Sequence, residues 1–121
     1  MSTTTKIALA IKAALQASPA LSMFDPDAIY IGAPGDILPC ISIDGTFAIE
    51  GKQKQRGSTL HIWMAEADAN TDAGDIHDIA DAFVDALRGT PILPSAWVHQ
   101  PEATQNVDHV VVPVVVYTDA L

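Results

Sequence analysis

The chain has 121 residues, enough for one hydrophobic core and too few for two. Apolar side chains make up 49% of it, which excludes a disordered or fibrous chain, and a formal charge of -9 excludes a surface that binds nucleic acid broadly, since phosphate contacts need clustered Lys and Arg. The single cysteine, Cys40, excludes an internal disulfide and points to a reducing, cytosolic origin.

The opening stretch "MSTTTKIALAIKAALQASPA" has some marks of a signal peptide, with Lys6 before an apolar run and small residues near Ala20. Lys12 interrupts that run, which suits the wet face of an amphipathic helix better than a membrane segment. A helix is predicted over residues 4–17, with Ile7, Ile11, Ala14 and Leu15 on one stripe, Lys6, Lys12 and Gln16 turned away, and Thr3 to Thr5 as caps. No other segment reads as a bilayer span, so no membrane partner is expected.

Two prolines make "SPALSMFDPDA" a connector, because the residue before each proline is pushed away from helical dihedrals. "IYIGAPGD" reads as a short strand and a turn. "LPCISIDGTFAIEG" then reads as one strand, half buried through Ile41, Ile43, Phe47 and Ile49. In "STLHIWMAEAD" the alternation places Leu60, Ile62 and Met64 on one face and His61, Trp63 and Ala65 on the other. These two stretches predict an antiparallel hairpin with "GKQKQRG" at its tip. That tip holds Lys52, Lys54 and Arg56, half of the six basic residues, and their spacing would aim all three the same way as a compact positive patch.

"TDAGDIHDIADAFVDALRG" carries a second helix, with Ile76, Ile79, Ala80, Phe83 and Leu87 on one stripe, Thr71 or Asp72 as cap and Gly89 as terminator. "TPILPSAWVHQPE" predicts a short irregular strand and "NVDHVVVPVVVYTDAL" a closing one. From Val110 to Tyr117 both faces of that last strand are apolar. One face packs on the helices, and the other must leave water against a neighbouring subunit. Pro113 lacks a ladder donor and is expected at an edge or bulge. The resulting fold class is α+β: a small mixed, mostly antiparallel sheet with two helices packed on one face.

No pattern of catalytic residues emerges. Asp75, His77, Asp78 and Asp81 could attract a metal ion, but their spacing fits the solvated face of an amphipathic helix. Cys40 with His61 or His99 lacks any triad signature, and "GAPGD" is neither a phosphate loop nor a dinucleotide fingerprint. No enzyme, cofactor or metal is expected. Trp63, opposite the Leu60 face, is expected at an interface, as are Val111, Val115 and Tyr117 on the outer face of the last strand.

The order of a helix, "IYIGAPGDILPCISID", a hairpin, "LHIWMAEADANTDAGDIHDIADAFVDALRG" and "VVVPVVVYT" resembles the tail-completion or tail-terminator proteins of long-tailed bacteriophages and gene-transfer particles, over residues 5–118. The resemblance implies one domain over residues 1–121, a homo-oligomer in the form of a hexameric ring, and no enzymatic activity. It implies a virion protein of the tail-neck region, made in the host bacterial cytoplasm, that caps the tail tube, ends its growth and offers a surface to the head-closure or connector protein. Its partners would be the tail tube protein, that connector and DNA in the channel. On that reading Lys52, Lys54 and Arg56 dock onto acidic tube residues or DNA, and Trp63, Val111, Val115 and Tyr117 form the subunit interface. The alternatives are a head-closure protein of the neck or a small oligomeric ligand-binding module.

Overall fold

The structure, a computed structural model, describes residues 3–21, 24–65, 76–88, 90–100 and 107–120. Helix α1 runs from Thr3 to Ala17. It buries the predicted stripe of Ile7, Ile11 and Leu15 and leaves Lys6 and Gln16 in water. Pro19 follows the helix end, and two single 3-10 turns, Pro19–Leu21 and Pro26–Ala28, carry the connector. Asp25 caps the second turn by accepting the Asp27 N–H at 2.9 Å.

The strands are β1 (Ile29–Ile31), β2 (Cys40–Ile43), β3 (Phe47–Ile49), β4 (Lys52–Ala65), β5 (Ile92–Pro94), β6 (Val98–His99) and β7 (Val107–Tyr117), with helix α2 (Ile76–Ala86) between β4 and β5. They form one sheet in the order β1-β2-β4-β7-β5, with β3 also beside β4 and β6 also beside β7. Only β1 and β2 are parallel. β4 and β7 pair over eleven positions, from Gln55↔Tyr117 to Ala65↔Val107, and are the spine of the molecule. The mixed, mostly antiparallel α+β fold is the one the periodicities predict.

Both helices lie on one face, α1 over β1 and α2 over β7. Beneath them sit Ile41 and Ile43, Leu60, Ile62 and Met64, and Val110, Val112, Val114 and Val116, with Phe24 edge-on to Phe83 at 6.4 Å. Burying each of the larger side chains is worth roughly 1.5–3 kcal/mol. Among the described residues no helix is long and apolar enough to cross a membrane.

Several expectations change. The predicted long strand is two, β2 and β3, lying end to end along β4. From Ile43 to Phe47 the chain advances four residues while β4 advances three, from Leu60 to Gly57. One extra residue reverses which face the side chains take. Phe47 is therefore exposed on the face away from the helices instead of joining Ile41 and Ile43. The hairpin turns at Glu50–Gly51, where Gly51 has φ 75, a left-handed backbone that favours glycine. Residues 52–57 already belong to β4 and are not its tip.

Pro113 lies inside the sheet, paired with Thr59 of β4. Its other side faces the break between β5 and β6, where its carbonyl accepts the Ser95 N–H at 2.8 Å. No ladder donor is needed at that break, so the proline is tolerated away from an edge. The predicted caps Thr71 and Asp72, and Gly89, lie outside the described residues.

Candidate functional site: the open face of the sheet

Because side chains alternate along a strand, the residues between the buried ones of β4 and β7 all emerge on the face opposite the helices. The register sets them in rows across the sheet. One row reads Phe47, Gly57, Val115 and Leu93, and another reads Ser42, His61, Val111 and Val98. Tyr117 stands beside Gln55 at the end. Phe47, Leu93, Val98 and Tyr117 are 42–55% exposed, and Val111, Pro113 and Val115 are half-buried, so this face is an apolar surface. The Phe47 ring lies across Gly57, whose missing Cβ leaves the room: a Cβ there would come within 2.3 Å of the ring.

Beside the apolar rows stands a stack of rings. Trp63 and His109, directly opposite each other, are parallel within 2° with centroids 3.9 Å apart. The Trp63 indole N–H donates to Ser42 Oγ at 2.9 Å. Diagonally across the ladder His61 Nδ1 meets His109 Nε2 at 2.7 Å. His61 Nε2 lies 2.9 Å from Asp44 Oδ2, and His109 Nδ1 lies 3.0 Å from the Gln100 carbonyl oxygen. A second chain runs along the edge of α2: His77 Nε2 to His99 Nδ1 at 3.0 Å, then His99 Nε2 to Asp108 Oδ1 at 2.6 Å. Trp97 ties the same helix down by donating its indole N–H to Asp81 Oδ1 at 2.9 Å.

The sequence-predicted residues divide. Trp63, Val111, Val115 and Tyr117 come together on the open face, as their alternation requires. The members of the basic triplet alternate along one strand but make different contacts. Lys52 is exposed just after the turn, and Lys54 pairs with Asp119 at 3.1 Å in solvent. Arg56 points to the helix side, where Nη2 donates to Thr4 Oγ1 at 3.0 Å and Thr46 Oγ1 at 3.1 Å. Its place follows from parity: in β4 it falls in phase with Ser58, Leu60 and Ile62.

The same geometry bears on the chemical alternatives. Cys40 is fully buried opposite Trp63, and burial pushes its thiol up to about 11, away from nucleophilic form. His77 and Asp81 are each engaged by β6 and the segment before it, His77 with His99 and Asp81 with Trp97. Among the described residues no group of three or more His, Cys, Asp or Glu side chains is arranged to hold a metal ion. Phe47, Leu93, Val98 and the contact of Asp44, His61 and His109 were not foreseen. For the histidine contact the signal was the placing of His61 and Trp63 at alternate positions of β4, which becomes a cluster once the register with β7 is known.

No protein-family model matches the chain, and no curated protein matches it. Among solved structures, the fold is similar to a chain from a virion of a native gene transfer agent particle. The TM-score is 0.63, and the match covers 97% of this chain and 98% of that one at 14% sequence identity. The two chains share a fold from end to end.

Proposed function

We propose that this protein is a structural component of a phage-type or gene-transfer particle, and within it the tail terminator: a ring, six-membered by the resemblance, that caps the head-proximal end of the tail tube and joins it to the head. The observation that carries this reading is the end-to-end fold similarity to a chain of a gene transfer agent virion. The open face agrees with it, because a sheet with an apolar outer surface gains by pairing with another copy, and a closed ring buries such a patch on every subunit. In this reading Phe47, Trp63, Leu93, Val111, Val115 and Tyr117 meet the neighbouring subunit. Lys52 and Lys54 dock onto the acidic surface of the tube or onto DNA in the channel, while Arg56 holds α1 to the hairpin. The protein acts by assembly and not by catalysis.

Deleting the gene from its parent particle and viewing the lysate by electron microscopy tests the role. Overlong tubes beside full, tailless heads are the expected result, and normal joined particles would overturn it. Val115→Asp, at the centre of the open face, should abolish self-association in sedimentation while leaving the circular dichroism unchanged. A Val115→Asp protein that assembles like the parent would exclude this face as the interface.

A further inference from the structure

We propose that His61 and His109 share a single proton, held between Asp44 at one end and the Trp63 ring at the other, so that the open face carries a charge set by pH. One chain of contacts fixes where the hydrogens must be. The Gln100 carbonyl can only accept, so His109 Nδ1 at 3.0 Å carries a hydrogen. A neutral His109 then offers a lone pair at Nε2, and His61 Nδ1 at 2.7 Å must donate to it. The other nitrogen of His61 faces the Asp44 carboxylate at 2.9 Å, and a carboxylate also only accepts. Three contacts need three N–H groups, and two neutral imidazoles supply only two. The pair therefore holds one extra proton, which the short N–H···N contact allows either ring to carry.

The geometry favours a proton over a metal ion in that gap. Imidazole nitrogens sit about 2.0–2.1 Å from zinc, which sets two of them roughly 2.9–3.4 Å apart at bond angles between square and tetrahedral. The observed 2.7 Å is shorter and falls in hydrogen-bond range. The rings are inclined by 21° with centroids 4.9 Å apart, as for imidazoles meeting edge to edge through their nitrogens. Both carriers of the charge are supported. Asp44 pairs with His61, whose side chain is 17% exposed, and the face of Trp63 lies parallel to His109, where an aromatic ring favours a cation.

Among the described residues, ionisable groups approach the pair from several elements. Asp44 approaches from the β2–β3 connection, and Cys40 of β2 lies opposite Trp63. Asp36 of the β1–β2 loop lines a hollow of about 310 Å³ against Trp63. From β7, Asp108 accepts the His109 backbone N–H at 2.9 Å, and through Asp108 come His99 of β6 and His77 of α2. The second histidine chain is a separate path of contacts, in which His99 Nε2 meets Asp108 and His99 Nδ1 meets His77. When the proton leaves, one of the three contacts must break, and the carboxylate of Asp44 is left uncompensated on the face.

The test reads the dilute protomer, so its result does not depend on whether the chain forms rings. Nitrogen-15 spectra of the imidazoles, and Trp63 fluorescence in a Trp97→Phe background, are followed from about pH 5 to 9, the span in which histidine changes charge. The expected result is one shared step for His61 and His109, with the indole brightening as the stacked imidazole loses its charge. Asp44→Asn replaces a group that can only accept with an amide that can donate to His61 Nε2, so that two neutral rings suffice, and should move the step to lower pH by about a tenfold loss of proton affinity. His99→Gln should leave it in place. Independent titration of the two rings, a step unmoved by Asp44→Asn, or a step abolished by EDTA, which would assign the pair to a metal ion, would each overturn the proposal.

Discussion

Arg56 is the residue whose role changed most between sequence and structure, and replacing it separates docking from folding. Nη2 donates to Thr4 Oγ1 at 3.0 Å and to Thr46 Oγ1 at 3.1 Å, linking β4 to the start of α1 and to the β2–β3 connection. Hydrogen bonds of a charged group are worth roughly 1.5–3 kcal/mol each, so losing both would cost about 3–6 kcal/mol. Two effects offset this. Nε is buried without a hydrogen-bond partner, a penalty of about 1–3 kcal/mol that disappears with the side chain, and water can reach part of the vacated site. Arg56→Ser should therefore lose about 1–3 kcal/mol. Lys52→Ser with Lys54→Ser should lose at most about 0.5 kcal/mol, because Lys52 is exposed and both partners of the Lys54–Asp119 pair stand in solvent. Urea unfolding followed by circular dichroism resolves the two, since a slope of roughly 1–3 kcal/mol per molar turns the Arg56→Ser loss into a midpoint shift on the order of 1 M. An Arg56→Ser midpoint equal to that of the double lysine variant would refute the anchoring role. If the lysines dock, the double variant should bind tube ends more weakly while unfolding like the parent.

Three further outcomes are expected. Phe83→Ala removes a fully buried ring edge-on to Phe24 and should cost about 3–5 kcal/mol, read as a large fall in thermal midpoint; a fall of a degree or two would contradict the packing. Cys40 should resist thiol reagents in the folded state, because with its thiol at about 11 only about one molecule in a thousand is thiolate at pH 8. Since its folded value lies above the ordinary value of 9.0, its contribution to stability is complete below pH 9 and is lost between about 9 and 11. The parent should therefore weaken by about 2–3 kcal/mol over that interval relative to Cys40→Ala, as measured by urea midpoints. Gly57→Ala places a Cβ 2.3 Å from the Phe47 ring, so the ring must move by about 1 Å, while the strand gains about 0.5–1 kcal/mol from losing a glycine. Stability should change by less than about 1 kcal/mol while the Val115 methyl resonances shift, and unchanged methyl shifts would show that the ring does not lie there.

The periodic patterns of near neighbours in the chain were legible from the residues alone. The stripe of Ile7, Ile11 and Leu15 makes a helix with one buried face whatever it packs against. The alternation through Leu60, Ile62 and Met64, and through the valines of β7, sorts each strand into two faces before any partner is known. From those periods came the α+β class, the placing of both helices on one face, and the membership of Trp63, Val111, Val115 and Tyr117 in the outer one. What the tertiary structure decided is register. One extra residue between Ile43 and Phe47 turned Phe47 outward, and the turn at Glu50–Gly51 drew the basic residues into a strand, where parity sent Arg56 toward Thr4, fifty-two positions away. The meeting of His61, His109 and Asp44 has the same origin. Local preferences act over a few residues, whereas the distance between side chains on different strands is set by how whole strands slide past one another. No property of a histidine's own neighbours in the chain records that choice.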